Sequence, residues 1–195
     1  MIRAILFDAD GVTQVRAEDL RSMLGRALNG APDIEGLVDD IFDAEKVSLT
    51  GERDFILELS QVLDRRSLPD RLEEVNIALL AIEVDQSMTD AVQVLRASEI
   101  GCYLASNQQP ARVRYLSEEL GYKDIFDKEF YSCTVGHAKP EAAYFNAILD
   151  DIRVPGRDVL FIDDHETNVN AARDVGNPRV TFRGAIWNER TRRTA

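Results

Sequence analysis

The chain has 195 residues, 45% of them hydrophobic and 30% charged, enough for one compact core and a small second lobe. Its 35 acidic and 23 basic residues leave a formal charge of −12, which disfavours nucleic acid as a partner. No stretch approaches the roughly 18 uninterrupted apolar residues of a membrane span, and the start lacks a secretory signal pattern, so a cytoplasmic protein with no membrane partner is expected.

The first element is the apolar run Ile2 to Phe7, short enough for a buried parallel strand and closed by Asp8, Asp10 and Gly11. From about residue 14 to 85 the apolar period becomes helical. Leu20, Met23, Leu24 and Leu28 form one stripe, and Ile34, Leu37, Val38 and Ile41 a second. Phe55, Leu59, Val62 and Leu63 form a third, and after Pro69 come Leu72, Val75, Leu79 and Ile82. Gly30, Pro32, Gly51 and Pro69 punctuate the stretch, so four short helices are predicted as a lobe over 14–85.

Beyond it, strands alternate with helices. Thr89 is predicted to cap a helix with Val92 and Leu95, followed by a strand over Cys102–Ala105. Pro110 suits a first helical position ahead of Val113, Leu116 and Leu120, and Pro140 is predicted to begin a helix with Tyr144, Phe145 and Ile148. A strand over Val159–Ile162, a helix from about Thr167 to Gly176 and a weaker strand over Val180–Phe182 complete the pattern. Such alternation predicts an α/β fold: a doubly wound, Rossmann-like parallel core over 1–13 and 86–195, carrying the small all-helical lobe after its first strand. Cys102 and Cys133 show no CxxC or Cys/His pattern, so neither a disulfide framework nor a zinc site is expected. Trp187 and Phe182 read as packing residues, and Arg190, Arg192 and Arg193 as a solvated tail.

In such a sheet, ligands bind beyond the carboxyl ends of the strands. Asp8 and Asp10 follow the first strand, Ser106 and Asn107 the second, Lys139 precedes a helix, and Asp163 and Asp164 close the Val159 strand. Taken singly, each piece fits an acidic turn, a loop or a solvated lysine. Their common placement at strand ends favours one site. Several carboxylates meeting there need a cation, since two at about 4 Å repel by roughly 4 kcal/mol at an effective dielectric near 20. With oxygen ligands and few carboxylates, Mg²⁺ is the expected ion.

The segments Asp8-Ala9-Asp10-Gly11-Val12, Ser106-Asn107, Lys139-Pro140 and Asp163-Asp164 resemble, in order, the four motifs of the haloacid dehalogenase superfamily. The resemblance implies a Rossmann-like core with a helical cap and a Mg²⁺-dependent phosphomonoester hydrolase of a small, sugar-phosphate-like metabolite. It assigns Asp8 as nucleophile and Asp10 as general acid/base, with a pKa that neighbouring carboxylates should raise. Ser106, Lys139 and the backbone around Ala9 and Asn107 would bind the phosphoryl group. Asp8, the Asp10 carbonyl and Asp164 would hold the metal, with Asp163 as a further ligand or a partner of Lys139. Asn168 fits either the same site or a helix cap, and an acid at position 10 separates the chain from true dehalogenases.

Gln14, Arg16 and Arg53 are candidates to meet the leaving group, and His137 to line the cleft beside Lys139, whereas Lys46 reads as an exposed helix end and His165 as a helix start. A monomer or weak homodimer is expected. A sugar-phosphate mutase and a non-catalytic binding module are the alternatives.

Overall fold

A computed structural model describes residues 1–176 and the backbone of 179–182. Trp187, Arg190, Arg192, Arg193 and the Phe182 side chain lie outside the described residues. In chain order the elements are β1 (Ala4–Phe7), β2 (Gln14–Val15), α1 (Leu20–Ala27), α2 (Ile34–Ser48), α3 (Phe55–Arg65), α4 (Leu72–Leu80) and β3 (Glu83–Val84). They continue with α5 (Gln86–Ala97), β4 (Gly101–Ser106), α6 (Pro110–Arg114), α7 (Tyr122–Ile125), β5 (Lys128–Tyr131), α8 (Ser132–Val135), α9 (Ala142–Ile152), β6 (Val159–Asp163), α10 (Glu166–Asp174) and β7 (Arg179–Phe182).

The main sheet is parallel throughout, in the order β5-β4-β1-β6-β7. Strand side chains alternate between its faces. Ile5, Phe7, Cys102 and Leu104 join Val92, Leu116 and Tyr122 on one face, whereas Ala4, Leu6, Ala105 and Phe161 meet Tyr144, Phe145, Ile148 and Ala172 on the other. β1 is therefore buried on both sides, which explains its unbroken apolar run. Each such Leu, Ile or Phe contributes about 1.5–3 kcal/mol by leaving water. The order reverses direction on either side of β1, so the loops after β1, β4 and β6 open a crevice above the middle of the sheet.

Helices α1–α4 pack around a cluster of their own, in which Leu24, Leu37, Ile41, Phe55, Leu59, Leu63, Val75 and Leu79 are buried. Asp19, Asp33, Asp54 and Asp85 cap α1, α2, α3 and α5, each accepting from a backbone N–H three residues on, for about 1 kcal/mol apiece. Part of the acidic excess is thus spent on helix starts. The cap of α5 is Asp85 rather than Thr89, and α9 begins at Ala142, leaving Pro140 in the preceding turn.

Two strand features escape the sequence pattern. β5 begins with Lys128-Glu129 at the sheet edge, too short and too charged to show alternation. β2 and β3 pair antiparallel, Gln14 opposite Val84 and Val15 opposite Glu83, and so pin together the two chain segments that connect the helical lobe to the sheet. Ile82 leaves the lobe at this point and packs with the sheet cluster. No helix among the described residues is long and apolar enough to cross a membrane.

Candidate active site

The strand ends deliver the predicted residues to one place. Asp8 follows β1, Ser106 ends β4, Asp163 ends β6, and Lys139 comes from the turn between α8 and α9. Asp8, Ser106 and Lys139, with Asp10, Asn107, His165 and Asn168, line a cavity of about 150 Å³, and Asp163 sits behind it, fully buried. A larger cleft of about 490 Å³ runs along β5. Among the described residues it gathers no cluster of metal-type ligands, whereas Asp8, Asp163 and Asp164 place carboxylate oxygens within 4.8 Å of one another.

Lys139 is the electrostatic centre. Its Nζ lies 2.9 Å from Asp8 Oδ1 and 2.7 Å from Asp163 Oδ2, and its side chain is 1% exposed. Burial opposes its charge, but the two carboxylates outweigh burial and raise its pKa. Asn107 fixes the lysine's backbone, donating from Nδ2 to the Lys139 carbonyl and accepting from the Lys139 N–H, both at 2.8 Å. The Asn107 amide is thereby engaged on the protein. Burial likewise pushes Asp8 up to about 7, against the pull of Lys139 and with the push of Asp163 and Asp10. Asp8 Oδ1 also accepts the Ala9 N–H at 2.7 Å.

Asp163 and Asp164 divide their tasks. Asp163 is fully buried and saturated: Oδ2 accepts from Lys139 and Asn168, and Oδ1 from the His165 N–H and Asn168. Asn168 thus orients Asp163. Asp164 keeps a buried Oδ1 with no hydrogen-bond partner, and burial, then Asp163, hold its pKa above the usual range, with His165 opposing. Gly11, at φ +75°, makes room for it, since a Cβ there would overlap the Asp164 carboxylate.

These features test the site against a divalent cation. Three carboxylates and one lysine leave a formal excess of two negative charges, and one buried carboxylate oxygen is orphaned. An all-oxygen donor set of this kind fits a hard ion such as Mg²⁺.

Asp10 overturns the expectation of a raised pKa. Burial does push it up, but the Arg112 guanidinium and hydrogen bonds from Gln14, Gln108 and Arg112 prevail and bring it down to about 2. Arg112 Nη2 lies 2.6 Å and Gln14 Nε2 2.9 Å from Oδ1, and Gln108 Nε2 lies 3.0 Å from Oδ2. Gln108 Nε2 also donates to the Ser106 hydroxyl.

The leaving-group candidates also need correction. Gln14 is fully buried and bound to Asp10. Arg16 donates to the carbonyls of Ala78, Leu79 and Ala81, satisfying the C-terminal end of α4, which has no basic residue in its last turn. Arg53 is an exposed partner of Glu58. His137 pairs with Glu141 at the surface, and the histidine that lines the cavity is His165. Lys46 is exposed, as expected.

Comparison with known proteins bears on the family and the fold. A family model described as haloacid dehalogenase-like hydrolase matches residues 2–176. The chain belongs to this family. Within it, a D-ribitol-5-phosphate phosphatase from Bacteroides thetaiotaomicron is 31% identical over 129 residues, covering 60% of this chain and 61% of that protein. A drimenol cyclase from Aspergillus calidoustus is 47% identical over 58 residues, 30% of this chain but 11% of the relative. The chain therefore spans less than two thirds of these curated relatives.

Among solved structures, a haloacid dehalogenase-like family hydrolase from Porphyromonas gingivalis has a TM-score of 0.75 at 26% identity over 99% of this chain and 97% of its own. A family enzyme from Bacteroides thetaiotaomicron, solved with magnesium and inorganic phosphate, shares the fold at a TM-score of 0.78 and 21% identity, over 97% of this chain and 98% of its own.

Two neighbours of the site, Gln108 and Arg112, escape the sequence reading. A signal for Arg112 exists: it precedes the fully buried Leu116 by four residues and so falls on the same helical stripe. Glu45 of α2 is the lobe's acidic residue near this group. Burial raises its pKa, and Arg112 counteracts that.

Proposed function

We propose that this haloacid dehalogenase-like hydrolase is a Mg²⁺-dependent phosphatase of a small, sugar-phosphate-like monoester, working through an aspartyl-phosphate on Asp8, with residues 14–85 as its cap. The observation that carries the reading is the charge pattern at the strand ends: Asp8 and Asp163 share Lys139, while Asp164, within the same 4.8 Å cluster, keeps an orphaned oxygen. The similarity to a sugar-alcohol-phosphate phosphatase supports the choice of a phosphoester.

Asp8 Oδ1 is held by Lys139 and the Ala9 N–H. No hydrogen bond from a described residue reaches Oδ2, which leaves that atom to attack phosphorus in line as the bond to the leaving oxygen breaks. Lys139 and the Ser106 hydroxyl meet the phosphoryl oxygens, and their fixed positions supply most of the stabilisation. Asp8, Asp164 and the Asp10 carbonyl would hold Mg²⁺, with Asp163 kept behind to fix Lys139. Bound there, the ion would neutralise charge on the transferred group.

Asp10, ionised before substrate binds, is set to accept a proton from the water that cleaves the acyl-phosphate. A phosphate ester beside it raises its pKa again, as a like charge does, so that Asp10 takes up one proton from solvent as the ester binds and gives it to the leaving oxygen as the P–O bond breaks. A halide leaving group needs no such acid. A cavity of about 150 Å³ suits the phosphoryl group alone, so the leaving group lies toward the cap, whose packing against it excludes water.

The test is phosphate release from a panel of sugar phosphates, polyol phosphates and nucleotides, with Mg²⁺ and with EDTA, alongside a halide-release assay. Turnover of at least one phosphate that needs Mg²⁺ and disappears in Asp8→Asn is expected. Halide release without phosphate release overturns the reading.

A further inference from the structure

Three side chains from three elements, Gln14 of β2, Gln108 after β4 and Arg112 of α6, converge on the one carboxylate of Asp10. Arg112 is the costly member. Its side chain is 7% exposed, and taking a guanidinium out of water costs several kcal/mol unless geometry and further hydrogen bonds compensate. Compensation here is incomplete, because Arg112 Nε is buried without a partner. Its counter-ion Asp10 is 43% exposed, so the pair does not form a closed structural bridge. On a stripe shared with Leu116, an apolar side chain would fill the same space without a buried charge. Burial economy therefore does not explain the arginine.

Placement does. Asp10 lines the cavity and Arg112 does not, so the guanidinium reaches the reaction only through the carboxylate. The two amides leave Asp10 one neutral donor on each oxygen. The charge-assisted bond at 2.6 Å is roughly twice as strong as a neutral one and comes from α6, which runs on into a π-helical turn over Tyr115–Glu119 whose Leu116 is anchored in the sheet's core. We propose that Arg112 is a positioning residue, which fixes the Asp10 carboxyl group at the cavity wall so that it meets the leaving oxygen of the substrate. This inference rests on the phosphatase reading and deepens it.

The role has a signature that a purely structural arginine lacks. A misplaced proton donor harms substrates whose leaving group needs a proton, such as a polyol or sugar phosphate, and largely spares p-nitrophenyl phosphate, whose phenolate departs unaided. Arg112→Met keeps the bulk and removes the charge. Its kcat on the best aliphatic phosphate is expected to fall about 10- to 100-fold with KM within about twofold, while p-nitrophenyl phosphate loses less than about threefold. Arg112→Lys should recover most of the loss, since only one guanidinium nitrogen contacts Asp10.

Should Arg112→Met fail to fold, Gln14→Met removes a neutral donor whose side chain hydrogen-bonds only to Asp10 and is expected to show the same substrate dependence, more weakly. Equal losses on both substrates, a raised KM with unchanged kcat, or a lysine variant no better than methionine overturns the proposal. Wild-type protein inactive on both substrates with Mg²⁺ removes the phosphatase reading itself and this inference with it. Active wild type without the substrate dependence removes only the role of Arg112.

Discussion

Replacing Lys139 by methionine keeps most of the stem and deletes the one ammonium inside the carboxylate cluster. The wild-type nitrogen sits 2.9 Å and 2.7 Å from Asp8 and Asp163, with side chains that are 8% and 0% exposed. Without it the excess charge of the cluster grows from two to three. Carboxylates within 4.8 Å of one another repel by at least about 3.5 kcal/mol per pair at an effective dielectric near 20. Measured losses on breaking buried pairs run at about 3–5 kcal/mol, because part of the repulsion is relieved when one acid takes up a proton.

Asp8 is the group to do so, being already at about 7 through burial, with Lys139 opposing and Asp163 adding to the rise. Its pKa in the variant must be higher still. An acid whose folded pKa exceeds its unfolded value binds more protons when folded, so stability falls as pH rises between the two values. The deficit against wild type should thus be smaller near pH 5, where Asp8 is protonated and only the Asp163 pair is lost, and reach about 3–5 kcal/mol near pH 8 in EDTA. Mg²⁺ at a hundred times its dissociation constant should return about 2.7 kcal/mol. Urea melts followed by circular dichroism at both pH values, with and without Mg²⁺, measure all three quantities. A deficit under about 1 kcal/mol at pH 8, or one equal at both pH values, would refute the packing of charge described above.

Gly11→Ala should weaken Mg²⁺ binding at least about tenfold by displacing the Asp164 carboxylate from beside a left-handed backbone, and isothermal titration at pH 8 reads this directly; unchanged affinity contradicts the close approach. In the wild type, protons and metal compete for Asp8, so with a metal-free pKa of about 7 the Mg²⁺ dissociation constant should be about tenfold weaker at pH 6 than at pH 8 and flatten above that. A pH-independent constant over this range argues against Asp8 as a ligand. Arg16→Leu should cost about 1–3 kcal/mol by leaving the α4 carbonyls without their donor. Arg53→Ala, at an exposed pair, should stay within about 0.5 kcal/mol. Equal effects in urea melts would show that Arg16 does not cap the helix.

Local sequence determined the strands at 4–7, 101–106, 159–163 and 179–182 and the helical run between residues 20 and 80, because hydrophobic period is a property of neighbours along the chain. It also placed Asp8, Ser106, Lys139 and Asp163 at strand and helix ends, where a parallel sheet exposes its ligand crevice. The edge strand β5 and the β2–β3 pair lay beyond its reach, since their pairing partners, not their composition, make them strands.

Charge partners are the sharper case. Arg112 meets Asp10 across 102 positions and Lys139 meets Asp163 across 24, and no local rule reports such proximity. Asp163 and Asp164 are identical by composition. Only the fold, by directing a lysine, an asparagine and a backbone N–H at the first and leaving an oxygen of the second without a hydrogen bond, distinguishes the residue that holds the lysine from the one proposed to meet the ion. A carboxylate's chemistry is set by what surrounds it in space, and the fold alone brought Arg112 to Asp10, reversing the pKa shift that the adjacent acids implied.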